Sequence, residues 1–284
     1  MPRAIAGGID TAYSIDGDGF PLLMFAPGGF GAVRGNWSGL GVYKRLGLIE
    51  QLSRHFTCIT FDRREAGDSG GRLERVTWDH YAAQGLGLLD HLGIDHAAVM
   101  GGCIGSSIAA RAAVTAPDRI AAMVLYSPAG GVRYRMGQHE RFRTHLSFVA
   151  EVGLAGVVDL ALATDVGFSK DPRVGPWVSV IRRDPSFAAE YRHSDPDRYV
   201  AMATGMVRLQ FDRDSVPGIE PEDLLVSRTP ALVVPGDDAS HATSAAHFLA
   251  ESMPMGELWD VPVDAQTEQN APARIASFLD GVVS

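Results

Sequence analysis

The sequence predicts an α/β protein: a mostly parallel sheet covered by helices on both faces and interrupted by one helical insertion. Three observations predict it. Short apolar, β-rich runs alternate with longer segments of helical periodicity. The alternation lapses between about Val132 and Leu224 and then resumes. A strand, a sharp glycine turn and a helix meet around Gly101 to Gly105, with a cysteine at the apex.

Along the chain, Met1 to Phe20 has one early arginine, several acidic residues and no apolar h-region, so it does not read as a secretory signal. Pro21–Phe25, Phe56–Phe61, Ala97–Met100, Ala121–Tyr126, Ala231–Val234 and Glu257–Val261 are expected to be strands buried on both faces. Trp78–Leu92 carries Tyr81, Gly85, Leu88, Leu89 and Leu92 at helical spacing, and Ile104–Ala116 and Ala271–Val283 follow the same pattern. The stretch 132–224 has no clear strand and is punctuated at Asp171-Pro172, Asp184-Pro185 and Asp195-Pro196, dipeptides that start turns and bound helices. The expected organisation is therefore a core of 1–131 and 225–284, with 132–224 as a helical cap. The most apolar window, Phe148 to Phe168, contains Glu151, Asp159 and Asp165, which suits a lid helix and not a membrane span.

Composition narrows the function classes. Hydrophobic residues make up 46% and charged residues 21% of the 284, ordinary for a soluble globular chain. A net charge of −9 leaves no general basic surface to release counterions from a nucleic acid. Two cysteines, Cys58 and Cys103, make no disulfide framework, and no histidine–carboxylate spacing of the zinc type occurs. The expectation is a cytoplasmic protein acting on a small molecule, without metal, cofactor, nucleic-acid or membrane partner. Oligomeric state is not legible.

The segment Gly101-Gly102-Cys103-Ile104-Gly105 has the spacing G-x-C-x-G. Glycines at 101 and 105 remove side chains where strand and helix approach around a strained turn, which pushes Cys103 out before a helix N-terminus. Amides and the helix dipole there favour a thiolate and a developing oxyanion. Most free cysteines are small buried thiols; the turn reverses that reading for Cys103, whereas Cys58, inside an apolar strand, belongs to the core. Gly28, Gly29 and Phe30 follow an early strand and allow close backbone approach; either an amide there joins that of Ile104 in holding an oxyanion, or the stretch is a plain glycine-rich connector.

These motifs, with Asp62-Arg63-Arg64-Glu65-Ala66-Gly67-Asp68-Ser69-Gly70, Leu232 to Asp238 and Ile275 to Leu279, resemble those of the α/β-hydrolase superfamily in order and spacing. The resemblance covers nearly the whole chain outside the insertion. It implies that fold, a nucleophile at Cys103, an oxyanion loop at Gly28–Phe30 and a catalytic acid at Asp237 or Asp238. It also implies a histidine after the last strand, but Asp260 to Gln269 contains none. His241, three residues past Asp238, is the preferred substitute, able to bond the thiol while Asp237 or Asp238 orients it. The alternative is that Asp238 or Ser240 caps the next helix and His241 lies on its surface.

His139, His145 and His193 are further candidates from the insertion; His55, His80, His91, His96 and His247 read as structural or exposed. Four arginines between Arg133 and Arg143 either gather an anionic substrate or form a solvated face with their own counter-charges. Nine aromatic residues of the insertion, Tyr134 and Phe142 among them, either build an apolar pocket for an aromatic or alicyclic molecule or pack the insertion onto the core. The leading functional expectation is acyl transfer, most simply hydrolysis of an ester, lactone or thioester by Cys103, His241 and Asp238. Two alternatives draw on the missing histidine: a lyase, isomerase or cyclase on the same scaffold, and a small-molecule-binding protein that has lost catalysis.

Overall fold

A computed structural model describes residues 1–283. The chain opens with two strands, β1 (Arg3–Ala6) and β2 (Ile9–Asp16), and continues with β3 (Phe20–Phe25). Short helices α1 (Asn36–Gly39), α2 (Gly41–Leu46) and α3 (Leu48–Leu52) lead to β4 (Phe56–Phe61). Then come α4 (Trp78–Leu92), β5 (Ala97–Gly102), α5 (Ile104–Thr115) and β6 (Ile120–Tyr126). The next stretch carries α6 (Val132–Ala163), α7 (Val178–Arg183), α8 (Pro185–His193), α9 (Pro196–Gln210) and α10 (Pro221–Val226), with no named strand among its described residues. The chain closes with β7 (Ala231–Val234), α11 (Thr243–Ser252), β8 (Gly256–Leu258) and α12 (Asn270–Val283).

The eight strands lie in the order β1-β2-β4-β3-β5-β6-β7-β8. β2 runs antiparallel to both β1 and β4, and every pair from β4 to β8 is parallel. This is the α/β-hydrolase fold. Alternate residues of each central strand serve opposite faces, as strand geometry requires. Leu22 and Met24 pack with Trp37, Leu46, Ile275 and Leu279 beneath α1–α3 and α12. Leu23 and Phe25 pack with Leu88, Leu89, Ile108 and Leu249 beneath α4, α5 and α11. Cys58 is fully buried in the first of these layers, and burial pushes its thiol up to about 12.

The order in which strands are added reverses at β3. The chain passes from β3 to β4 on one side, and β5 then pairs on the other. A crevice at the carboxyl ends of β3 and β5 is therefore built into the topology, where the two following loops diverge. Those loops are Ala26–Gly31 and the turn at Cys103.

Local signals set the helices. Thr77 and His80 form a reciprocal cap on α4, with the Thr77 hydroxyl accepting from the His80 amide and the His80 ring accepting from the Thr77 amide. Each Asp-Pro pair is an N-cap followed by proline at the first helical position: Asp184 accepts from the Ser186 and Phe187 amides, Asp195 from Arg198, and Asp171 from Arg173. Each cap is worth about 1 kcal/mol. Helix α6 is long and apolar enough to cross a membrane by length and composition. However, Gly153 breaks it with φ 71° and ψ 175°, and Glu151 and Asp159 are exposed within the apolar stretch. The last expected strand, Glu257–Val261, ends at Leu258, because its partner β7 has only four residues before Pro235 turns the chain away.

Candidate active site

The elbow is sterically dictated. A Cβ at Gly101 would lie 2.2 Å from the Gly105 carbonyl oxygen, and a Cβ at Gly105 would lie 2.1 Å from that of Phe25. Only glycine at both positions lets α5 descend so close to β3 and β5. Cys103 takes the resulting strain, with φ 55° and ψ −122°, a conformation that costs a β-carbon residue about 1–3 kcal/mol. Backbone bonds hold it there: its amide donates to Tyr126 at 3.1 Å, and its carbonyl accepts from Ser106 and Ala129, each at 3.1 Å. The Ser106 hydroxyl, fully buried, donates to the Gly101 carbonyl at 2.9 Å.

The thiol opens into a cavity of about 530 Å³, whose walls include Gly28, Gly29, Tyr43, Ser127, Tyr134, Asp238 and His241. Another cavity, about 390 Å³ and lined by Glu74, Arg75, Glu190 and Arg198, lies apart from Cys103.

His241 reaches the thiol from the loop after β7. The loop is stitched to the one after β6 by Gly130 N–H donating to Ser240 at 3.0 Å and by a bridge between Gly130 and His241. Asp238 Oδ1 accepts from the amides of Ser240 and His241 at 2.7 and 3.1 Å, and from His241 Nδ1 at 2.8 Å. A carboxylate only accepts, so Nδ1 carries a proton. Nε2 is buried and makes no hydrogen bond of ordinary alignment, although the thiol and ring are close enough to alter each other's ionisation. Loose alignment of this kind is common before substrate binds.

Burial is the largest influence on the Cys103 thiol and opposes its ionisation. The His241 ring, followed by the amides of Gly28 and Ile104, outweighs burial and lowers the pKa. Burial likewise opposes charge on His241, but the facing thiolate and then Asp238 carry it up to about 9. For Asp238, burial is again the largest influence; His241 and the Ser240 amide overcome it, and its pKa is lowered. The ground state this favours is a thiolate–imidazolium pair with a carboxylate behind it. Such a group can attack a carbonyl and return a proton to a leaving group.

Of the residues named from sequence, Cys103, His241, Asp238, Gly28 and Ile104 converge. Gly29 lines the cavity. Phe30 turns away and packs on Phe168, Phe142 and Phe211 at ring distances of 5.2, 5.5 and 6.4 Å. Asp237 lines the cavity without touching the imidazole. Helix α11 starts at Thr243 with no side-chain cap, so neither Asp238 nor Ser240 is spent on it.

The three histidines of the inserted stretch stay out of the cavity. His139 bonds the Phe211 carbonyl at 2.9 Å and His193 that of Ala189 at 2.8 Å. His145 is buried against the Tyr199 hydroxyl at 2.6 Å, and burial pushes its pKa down to about 4. Of the nine aromatic residues of that stretch, Tyr134 lines the cavity; Phe142, Phe168 and Phe211 join Phe30 in packing the stretch to the core.

Sequence reasoning did not find Tyr43, Gln138 or Gln266. Gln138 was findable, since Tyr134, Gln138 and Arg141 share one face of α6 at i, i+4 and i+7. Gln266 lies in the segment where a histidine is expected. It is fully buried, accepts from the Tyr126 hydroxyl at 2.5 Å, and donates to the carbonyls of Pro235 and Val261 at 3.1 and 2.9 Å.

Comparison with known proteins agrees with this architecture. A family model described as the alpha/beta hydrolase fold matches residues 21–149. A stretch of 157 residues, 55% of this chain, is 31% identical to the dihydrolipoyllysine-residue acetyltransferase component of the acetoin cleaving system of Cupriavidus necator, and covers 39% of it. A stretch of 131 residues, 44% of this chain, is 32% identical to the 2-hydroxymuconate semialdehyde hydrolase of Pseudomonas sp. strain CF600, and covers 42% of it. The chain thus spans about two fifths of the length of these curated relatives. Among solved structures, the enol-lactonase from Burkholderia xenovorans LB400 is similar with a TM-score of 0.62 and 21% identity, over 98% of this chain and 100% of that one.

Proposed function

The chain is a protein of the α/β-hydrolase fold, and on that footing we propose that it is an acyl-transfer enzyme, hydrolysing a small-molecule ester, lactone or thioester with Cys103 as nucleophile. The observation that carries the reading is the thiol at a strained elbow, facing an imidazole and met by two backbone amides. The hydrolase and acetyltransferase activities named for the two curated relatives support acyl chemistry in general.

The Cys103 thiolate adds to the substrate carbonyl carbon, and the carbonyl electron pair moves to oxygen. The amides of Gly28 and Ile104 hold that oxyanion, usually the largest catalytic contribution in acyl transfer. Collapse breaks the bond to the leaving alcohol or thiol, which takes the proton from His241 Nε2. An acyl-cysteine thioester remains. Water then gives a proton to Nε2 and adds to the thioester carbonyl; the second collapse releases the acid and restores the thiolate and imidazolium. Asp238 keeps the proton on Nδ1 and the ring in place throughout, and so acts as a positioning residue. The inserted helices serve as a cap over this chemistry. The lyase-type and binding-protein alternatives drew on the absence of a histidine after β8; the His241 imidazole beside Cys103 supports acyl transfer over them.

The test is a panel of nitrophenyl esters, lactones and acyl thioesters, followed by rapid quench and intact-mass measurement. A stoichiometric burst with acyl label on Cys103, absent in Cys103→Ala, is expected. Turnover that survives Cys103→Ala, or no acyl label from any class, would sink the proposal.

A further inference from the structure

Among the cap-side arginines the charges are not equivalent. Arg135 pairs with Asp214 at 3.0 Å, and Arg143 pairs with Glu140. Arg133 lines a separate cleft beside Asp214 and Asp237. Arg141 lines the Cys103 cavity and has no hydrogen bond or ion pair among the described residues. One turn earlier on the same face, Gln138 is 4% exposed, lines the same cavity, and its amide likewise has no hydrogen bond among the described residues. The Gln138 side chain thus keeps its hydrogen-bonding groups free towards the cavity, and a guanidinium in a concave wall is built for a planar anion. Tyr134 completes the stripe and lines the same cavity as Cys103.

We propose that the substrate carries a single carboxylate, distinct from the carbonyl that meets Cys103, and that Arg141 and Gln138 hold it from helix α6. This rests on the reading of Cys103 as nucleophile. The charge arrangement selects one negative charge over two. Asp237 lines the same cavity with no hydrogen bond or ion pair among the described residues, and the Cys103 thiolate lies beside it, so a dianion such as a phosphate monoester meets repulsion that one arginine does not offset. The same asymmetry orients the ligand, with its carboxylate towards α6 and its acyl carbonyl towards the amides of Gly28 and Ile104. A cavity of about 530 Å³ suits a compact ester, lactone or thioester acid. The charge-assisted contact should favour the carboxylate ligand about 10- to 100-fold over its neutral amide.

The experiment uses thiol probes, so that it does not depend on finding the substrate. The full-length protein is treated with 3-maleimidopropionate and with its neutral amide, and labelling of Cys103 is followed by peptide mass. Rates are referred to glutathione. A preference of about 10-fold or more for the carboxylate probe is expected, lost in Arg141→Gln, reduced in Gln138→Leu and kept in part by Arg141→Lys. Equal labelling by both probes, or a preference that survives Arg141→Gln, overturns this inference and leaves the nucleophile standing. Inertness of Cys103 to both probes overturns the proposed function, and this inference with it. A sulfonate or phosphonate maleimide, compared in the same way, separates one charge from two; preference for the dianion also overturns it.

Discussion

Replacing His241 by alanine should raise the pKa of the Cys103 thiol, and the structure sets the scale. The imidazole moves from 6.5 to about 9 although burial pushes it the other way. That net rise is worth about 3 kcal/mol of preference for the charged ring. The thiolate is its foremost source and Asp238 the next; Asp238 is 64% exposed, so water screens much of its share. Coupling is reciprocal, so what the thiolate does for the imidazolium the imidazolium does for the thiolate. Even half of that energy corresponds to about a 10-fold change in ionisation, and all of it to about 100-fold or more. Without the ring, burial is opposed by the amides of Gly28 and Ile104. The assay is thiolate absorbance and iodoacetamide rate from about pH 5 to pH 10, in a Cys58→Ser background. The midpoint for Cys103 should move upward and the rate at neutral pH should fall about 10- to 100-fold. In reverse, Cys103→Ser should bring the His241 ring resonances to a lower titration midpoint by NMR. The same thiol midpoint in His241→Ala and wild type would refute the ion-pair argument.

Three further outcomes follow from the same geometry. Activity that needs the imidazolium should be lost as pH rises through about 9, and Asp238→Asn, which keeps the loop's amide acceptor, should move that alkaline limb of kcat/KM to lower pH; an unmoved limb would assign it to another group. Gly105→Ala should destabilise the fold by about 3 kcal/mol or more, read by urea denaturation, since its Cβ would meet the Phe25 carbonyl at 2.1 Å; a variant within about 1 kcal/mol of wild type contradicts the steric account. His145 is buried neutral with its pKa depressed to about 4, so protonation favours the unfolded chain. Stability should therefore fall as pH drops from about 6.5 towards 4, by about 3 kcal/mol in all; His145→Gln, which can still bond Tyr199, should flatten that slope in denaturation series.

What the sequence discloses and what it hides divide along physical lines. Buried parallel strands read as apolar runs, and glycines at 101 and 105 mark a close approach, so the sheet centre and elbow were legible. Strands β1 and β2 were not. They pair antiparallel at the sheet edge, and the short, half-exposed pattern of Arg3–Ala6 carries little periodic signal. The pairing of His241 with Asp238 was legible as spacing, because three residues of one loop bring it about. That its ring faces Cys103 depends on Gly130 and Ser240 joining two loops far apart in sequence. Which arginines of the run are paired is decided by Asp214 and Glu140, one of them more than seventy residues away. No local pattern reports that.

Asp238 and His241 sit on one turn, their mutual geometry fixed by two amides donating to the same carboxylate oxygen. The two side chains are therefore held as a single unit. In a scaffold where these groups come from separate loops, any shift between the loops misaligns them. In the segment after β8, Gln266 ties Tyr126, Pro235 and Val261 together as a buried strut. Substitution of the exposed Asp260 or Asp264, neither of which touches the pair, should thus leave the alignment of His241 and Asp238 untouched.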